Sequence, residues 1–171
     1  MKVSRLIPAV LLGAVLCIAA GQPGQQSTGA QTPFKLTNAD LGVMLKDLKY
    51  ETATTKDGQL EIEMKQGTYS FHPFVAVSTS GNKVWITTSV RPLSANDMAN
   101  AEFLGKLLQA NTTIGPAQFY IENLGDDKKP DLRLGFGYPL DNRGITEEIL
   151  REALDAFASN LADQATVWDK K

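Results

Sequence analysis

Apolar and polar residues alternate along this 171-residue chain in two periods, one typical of helices and one typical of strands. The first helical pattern begins after Thr37, where Asp40 stands three residues further on, as in a capping box. Apolar residues then recur at intervals of three and four residues, at Leu41, Met44, Leu45 and Leu48. Because this spacing places them on one side of a helix, we predict a first helix over residues 38–48.

Strand patterns follow the first helix. Lys56-Asp57-Gly58 and Ser80-Gly81-Asn82 have the composition of tight turns, and apolar and polar residues alternate before and after them, as in half-buried strands. The four strands are predicted over residues 50–55, 60–65, 69–78 and 84–90. Short turns join antiparallel neighbours only, so we predict that these strands form an antiparallel sheet.

The second half of the chain repeats both patterns. Ser94 and Asp97 form a second capping box, which opens a helix with the apolar stripe Met98, Ala101, Leu104, Leu107 and Leu108. Residues 117–122 and 132–138 are predicted to be strands. A last helix near Thr146 is predicted to bury Leu150, Leu154, Phe157, Leu161 and Trp168. The order α-β-β-β-β-α-β-β-α predicts one α+β domain with an antiparallel sheet.

The first twenty residues have the pattern of an export signal. Lys2 and Arg5 precede an apolar run over residues 6–20, and small residues end that run. The run is shorter than the roughly 20 apolar residues that a membrane-spanning helix needs. We therefore predict a signal peptide over residues 1–20 and an exported protein, periplasmic or extracellular, that has no membrane span once the signal is removed.

The site of cleavage and the start of the domain follow from the residues after this run. The signal is predicted to be cut between Ala20 and Gly21, with Ala30 as a second acceptable site. Cys17 raises the alternative of a lipoprotein, but Leu16 stands where that processing prefers a small residue, and free Cys behaves as a small hydrophobe. Residues 21–35 are rich in Gln, Gly and Ser and are predicted to be a flexible linker. The folded domain is predicted over residues 36–169.

Charge and cysteine content exclude several classes of function. The chain has 17 basic and 19 acidic residues, and losing Lys2 and Arg5 leaves 15 against 19, a net charge of −4. This weak acidity argues against binding to nucleic acid or to an anionic membrane surface. Cys17 is the only cysteine, so the domain has no disulfide and no thiol chemistry. Its stability must come from burial of its core.

Several stretches resemble a known family. These are LGVMLKDLKYE at 41–51, the hairpin DGQLEIEM at 57–64, the strand WITTSV at 85–90 and the ending YPLDNRGITEEILREALDAF at 138–157. They resemble the YbjN family, which shares its fold with the small chaperones of type III secretion systems. The resemblance covers residues 35–169. It implies a non-enzymatic module without a cofactor that binds segments of other proteins, commonly as a homodimer. Those chaperones act in the cytoplasm, whereas this chain carries the pattern of an export signal.

Few residues are candidates for catalysis or for binding a metal or a small ligand. His72 is the only histidine, and a catalytic base also needs a partner that orients it. The loop 123–131 holds three aspartates, but it lacks the spacing of a calcium loop and its two lysines oppose a cation. We therefore predict no catalytic residue and no metal site. The alternative is an enzyme of unknown type, or a small-ligand carrier, that uses His72 and the loop 123–131. Gly135 and Gly137 lie within a strand, where small residues are expected to admit a helix or a neighbouring backbone.

The remaining candidate is a face of the sheet. The residues predicted to face inward are Leu60, Ile62, Met64, Val84, Ile86, Val90, Phe119 and Leu134. The opposite face then carries Phe74, Trp85, Tyr120 and Arg133, and aromatic residues and Arg are enriched in interaction hot spots. We predict that these four residues bind a protein partner of unknown identity. One competing interpretation is a helix that packs on this face and buries its aromatic residues. Another is a structural envelope protein whose whole activity is self-association.

Overall fold

The computed structural model describes residues 34–169, so the predicted signal peptide and most of the predicted linker lie outside the described residues. Both predicted capping boxes are confirmed. The Thr37 hydroxyl accepts from the Asp40 N–H and the Asp40 carboxylate accepts from the Thr37 N–H. Ser94 and Asp97 make the same reciprocal pair. Each box satisfies backbone donors that a helix start otherwise leaves unpaired.

Eight strands build the β-structure. They are β1 (Thr52–Thr54), β2 (Leu60–Ile62), β3 (Met64–Gln66), β4 (Tyr69–Phe71), β5 (Phe74–Val77), β6 (Lys83–Pro92), β7 (Gln118–Asn123) and β8 (Leu132–Asp141). Six of them form one antiparallel sheet in the order β1-β2-β5-β6-β8-β7, and β3 pairs with β4 in a separate ladder. The predicted α+β architecture with an antiparallel sheet is confirmed.

Two predicted strands are each divided in the structure. The run 60–65 breaks at Glu63, and the run 69–78 breaks at His72 and Pro73. Pro73 has no N–H to donate to a ladder, which accounts for the second break. The chain between the two breaks leaves the main sheet as the β3–β4 ladder, and it turns the side chain of Met64 into the core.

Five helices accompany the strands. They are α1 (Asn38–Asp47), α2 (Ala95–Ala99), α3 (Ala101–Asn111), α4 (Glu147–Asp163) and α5 (Ala165–Trp168). None of the helices within residues 34–169 combines the length and the apolar character needed to cross a bilayer.

The prediction of one continuous second helix is wrong. Asn100 adopts an extended backbone, and its side chain accepts from the Phe103 N–H at 3.1 Å, so a new helix starts there. This restart changes which side of the helix faces the core. Leu107 and Ala110 are buried, whereas Leu108, predicted on the apolar stripe, is 69% exposed.

The end of the last helix also differs from the prediction. The chain turns at Gln164, so Trp168 lies on the short helix α5 and not on the buried face of α4. Its indole N–H donates to the Leu161 carbonyl at 2.7 Å. Its ring packs edge-on against Tyr69, at a centroid distance of 5.2 Å, and against Phe71, at 6.2 Å. These contacts join the end of the chain to the β3–β4 ladder.

The core lies between the sheet and the helices. Phe136 of β8 lies 4.8 Å from Phe119 of β7 and 5.2 Å from Phe157 of α4, between ring centroids. Seven of the eight residues predicted to face inward are buried. Val90 is the exception and is only half-buried, because the pairing of β6 with β8 shifts register between Ser89 and Arg91.

Asn142 joins three separate segments of the chain inside the protein. It is 1% exposed, and its carboxamide accepts from the Leu36 N–H at 3.0 Å and donates to the Leu36 carbonyl at 2.9 Å. It also donates to the Gly81 carbonyl at 3.1 Å. The start of the described chain is thereby fixed to the β5–β6 turn and to the end of β8.

We predict that Asn142→Ala destabilises the protein by about 2 to 4 kcal/mol, because it leaves the backbone groups of Leu36 and the carbonyl of Gly81 without partners in the interior. Urea unfolding followed by circular dichroism measures the change. The matched control is Asn96→Ala at an exposed position of α2, which should stay within about 0.5 kcal/mol of the original protein. Equal stability of the two variants would contradict this role of Asn142.

Candidate functional site

The two faces of the sheet differ in what covers them. The buried residues of the strands share one face with the buried residues of the helices, for example Ile86 and Phe136 with Leu45 and Phe157. Alternate residues point to the other side, and we call this side the open face. Its residues include Glu61, Phe74, Ala76, Lys83, Trp85, Thr87, Ser89, Gln118, Tyr120, Glu122, Arg133, Gly135, Gly137, Pro139 and Asp141.

The strand register places the four predicted binding residues on this open face. Phe74 stands opposite Thr87, which stands opposite Gly137. Trp85 lies opposite Ala76 and Pro139, and Tyr120 lies opposite Gly135. Phe74, Trp85 and Tyr120 are half-buried, so the described chain does not bury them as the competing interpretation expected. Their role in binding stays a prediction.

The ring of Tyr120 lies over two glycines of the neighbouring strand. A Cβ at Gly135 would overlap Cε2 and Cζ of this ring, and a Cβ at Gly137 would lie 3.2 Å from its Cε1. The expectation that these glycines admit a helix or a backbone is therefore wrong, because the group that approaches them is an aromatic side chain. Aromatic rings that cover glycines on an adjacent strand are a known device for stabilising sheets.

Trp85 and Thr87 complete the surroundings of Gly137. A Cβ at Gly137 would lie 3.5 Å from Cγ2 of Thr87 and 3.6 Å from Cζ3 of Trp85. The edges of both aromatic side chains therefore border a residue that has no side chain. The sequence analysis did not identify Gly135 and Gly137 as parts of this site, because no local pattern gives the register that sets Gly135 opposite Tyr120 and Gly137 opposite Gln118.

The polar groups of the two aromatic residues remain available. Burial, followed by the nearby charge of Glu122, raises the pKa of Tyr120 to about 12. The phenol therefore keeps its proton at neutral pH and acts as a hydrogen-bond donor. Within residues 34–169, neither the Tyr120 hydroxyl nor the indole N–H of Trp85 has a hydrogen-bond partner. Trp168 differs, since its indole N–H is already bound to a carbonyl.

Arg133 lies at the margin of the open face and is already paired. Its guanidinium donates to the Asp131 carboxylate through Nε at 3.3 Å and Nη2 at 3.2 Å. Glu122 stands opposite it on β7. We therefore place Phe74, Trp85 and Tyr120 at the centre of the candidate site and Arg133 at its edge.

His72 lies between β4 and β5 and is not within a strand. Its Nδ1 is 3.9 Å from the Glu61 carboxylate, and both side chains are substantially exposed. The two residues line a cleft of about 340 Å³ together with Phe74, Ser89 and Trp168. This cleft begins where the β3–β4 ladder leaves the sheet and adjoins the open face.

The acidic loop 123–131 uses its polar side chains to shape its own turn. The Asn123 side chain accepts from the Gly125 and Asp131 N–H groups, both at 3.0 Å. The Asp126 carboxylate accepts from the Lys128 and Lys129 N–H groups at 2.9 and 2.8 Å. In the sheet, β6 stands between this β7–β8 hairpin and β5, which follows His72. In the described part of the chain, no group of three His, Cys, Asp or Glu side chains is placed to hold a metal ion.

The geometry of the fold matches that of solved structures. YbjN from E. coli, a candidate transcription regulator, superposes with a TM-score of 0.57 over 79% of this chain and 94% of its own, at 12% sequence identity. The chain has a YbjN-like fold. The heterodimeric ExoU–SpcU complex from the type III secretion system of Pseudomonas aeruginosa gives a TM-score of 0.49 over 74% of this chain and 96% of the matched chain, at 12% identity. No protein-family model and no curated protein sequence matches the chain. The likeness to YbjN at this identity establishes the fold, and fold and function are separable.

We predict that Gly135→Ala destabilises the protein by about 1 to 3 kcal/mol, because the new methyl group must displace the Tyr120 ring from a packed position. On a Tyr120→Ala background the same substitution should cost less than about 0.5 kcal/mol, since no ring is left to displace. Thermal or urea unfolding of the four proteins measures this coupling.

The matched control is Gly105→Ala on the exposed side of α3, where a Cβ meets nothing within 4 Å. This substitution should stabilise the helix by about 0.5 to 1 kcal/mol. An equal cost of Gly135→Ala with and without the Tyr120 ring would contradict the packing of Tyr120 on the glycines.

Proposed function

We propose that the chain is an exported, non-enzymatic module, chaperone-like or adaptor-like, that binds a segment of a partner protein on its open face. The observation that carries the proposal is the centre of this face, where two half-buried aromatic residues border Gly137 and have free hydrogen-bond donors. Residues such as Trp and Tyr supply much of the binding energy at protein interfaces.

The export part of the proposal rests on the N-terminal sequence. Its basic start, its apolar run and the small residues that follow are the parts of a signal peptide. The place of action is then the periplasm or the extracellular space. A partner is accordingly expected among the proteins of the envelope or among exported proteins.

Self-association is the second candidate, and two exposed apolar side chains favour it. Leu108 on α3 is 69% exposed and Ile121 on β7 is 40% exposed. These two elements pack against each other, at the edge of the sheet farthest from β1. A homodimer formed there would leave the open face accessible. Self-association and partner binding would therefore use different surfaces of the protein.

The proposal predicts that one aromatic residue of the open face decides partner capture. A tagged chain of residues 31–171, which retains every residue of the described core, serves as bait in an envelope extract of its own organism. We expect a stoichiometric protein to be retained by the original bait and reduced at least about tenfold by Trp85→Asp, because a charge would be placed at the centre of a hot spot. Mass spectrometry identifies and quantifies what is retained.

The matched control exchanges another aromatic residue for Asp away from the open face. Phe34 is 68% exposed, so Phe34→Asp should retain the partner in full. Equal recovery by Trp85→Asp and Phe34→Asp would contradict binding on the open face. Recovery of nothing except copies of the chain itself would favour self-association instead.

A further inference from the structure

We propose that the cleft beside Glu61 receives a basic side chain, lysine or arginine, from the segment that binds the open face. This inference rests on the proposed function and specifies one chemical feature of the partner. It follows from the position of the cleft, from the hydrogen bonds that its side chains already make and from the charges around it.

The cleft is continuous with the open face. Glu61, Phe74 and Ser89 belong to both, since each lines the cleft and lies on the open side of its strand. The β3–β4 ladder and Trp168 of α5 also line it. A segment lying on the open face can therefore extend one side chain into the cleft while its backbone stays on the sheet.

The walls of the cleft suit the aliphatic stem of a long side chain. Its volume is about 340 Å³, and its aromatic and aliphatic lining consists of Tyr69, Phe71, Phe74, Val90, Leu161 and Trp168. Lysine and arginine pack their stems along apolar surface of this kind and keep the charged end at a polar group. Aromatic rings also attract a cation that lies over their faces.

Most hydrogen-bond donors around the cleft already have an acceptor. The Tyr69 hydroxyl donates to the Asp169 carboxylate at 3.3 Å, and the Thr88 hydroxyl donates to the His72 carbonyl at 3.4 Å. The indole N–H of Trp168 is likewise bound to a carbonyl. An occupant that needs donors, such as a carboxylate, would therefore find few of them here.

Acceptors, in contrast, remain available. Within residues 34–169 the Glu61 carboxylate accepts no hydrogen bond, and Nδ1 of His72 lies 3.9 Å from it, which is too far for one. The Ser89 hydroxyl, which can also accept, has no partner in the same part of the chain. Lysine offers three donors and arginine five, and neither brings an acceptor.

The charges around the cleft favour a cation. Among residues 34–169, no lysine or arginine lines it, and Lys65 of the adjacent strand β3 is paired with Glu63 at 3.3 Å. An acidic side chain would be repelled by Glu61. An apolar side chain would remove the Glu61 carboxylate from water without giving it a partner, which is unfavourable. A basic side chain instead gives that carboxylate a charge-assisted hydrogen bond.

Nuclear magnetic resonance of the ¹⁵N-labelled chain of residues 31–171 tests the proposal. The probes are Nα-acetyl-lysine amide and Nα-acetyl-arginine amide, and Nα-acetyl-norleucine amide supplies the lysine stem without the charge. We expect the backbone signals of His72 and Ser89 to shift in a saturable manner at low salt, whereas the signal of Gln118 stays in place. At least one basic probe should bind about fivefold more tightly than the norleucine probe, as expected for one charge-assisted hydrogen bond.

A pair of Glu→Gln variants isolates the carboxylate. Glu61→Gln keeps the shape of the side chain and removes its charge, so the basic probes should bind no more tightly than the norleucine probe. Glu122→Gln is the matched control, because Glu122 is also half-buried on the open face. It lies on β7, which β5, β6 and β8 separate from Glu61 on β2. This variant should leave all three dissociation constants unchanged.

Three outcomes would overturn the proposal. The first is the absence of any shift at His72 and Ser89 with either basic probe. The second is binding of the norleucine probe as tight as that of both basic probes. The third is a preference for a basic probe that persists in Glu61→Gln.

Capture of the partner separates this inference from the proposed function. If Trp85→Asp loses the partner although both basic probes fail, only the basic side chain is wrong and protein binding on the open face stands. If a basic probe binds at Glu61 but Trp85→Asp and Phe34→Asp retain the partner equally, the cleft keeps its cation chemistry and binding on the open face is wrong.

Discussion

One-sided burial is the constraint on which the rest of this structure depends. The sheet packs α1, α3 and α4 against a single face, and the fully buried side chains of β6 and β8 point toward them. These two strands are the longest of the sheet, with ten residues each. Since an antiparallel sheet can keep its second face toward solvent, the alternate residues of the same strands remain available for contact with another molecule.

Two residues at the centre of the open face, Gly135 and Gly137, lack side chains. Glycine inside a strand loses more conformational freedom on folding than other residues and has nothing to pack. Here the Tyr120 ring supplies the missing packing for Gly135 and Gly137. The same contact fixes the ring against the sheet, so a ligand would meet an aromatic surface whose orientation is already set. Such preorganisation lowers the entropic cost of binding.

Local signals made much of the fold predictable from the sequence. Both capping boxes are set by residues three positions apart, and Thr146 caps the start of α4 with its own side chain. These signals can be identified without knowledge of the rest of the chain. Alternation of apolar and polar residues likewise assigned the inward face of most strands. These features depend on residues that are close together in the sequence, so a single sequence is sufficient to predict them.

The wrong predictions concern features that are determined by interactions between distant residues or by competing local interactions. Asn100 interrupts a helix that apolar spacing alone would continue, and its side chain then restarts the helix in a new phase that exposes Leu108. The packing of the Tyr120 ring on Gly135 depends on the register of β7 against β8. No local sequence pattern predicts that register. The open face could therefore be predicted as a set of residues, whereas the contact of the Tyr120 ring with two glycines required the structure.

Site-specific photo-cross-linking in living cells tests the central claim most directly. A p-benzoylphenylalanine introduced at Ser89, an exposed position opposite Gly135 on the open face, should give a discrete adduct with a partner protein on irradiation. The same residue introduced at Glu148, exposed on α4, should give none. An adduct from Glu148 alone, or equal adducts from both positions, would contradict the assignment of the open face as the binding surface.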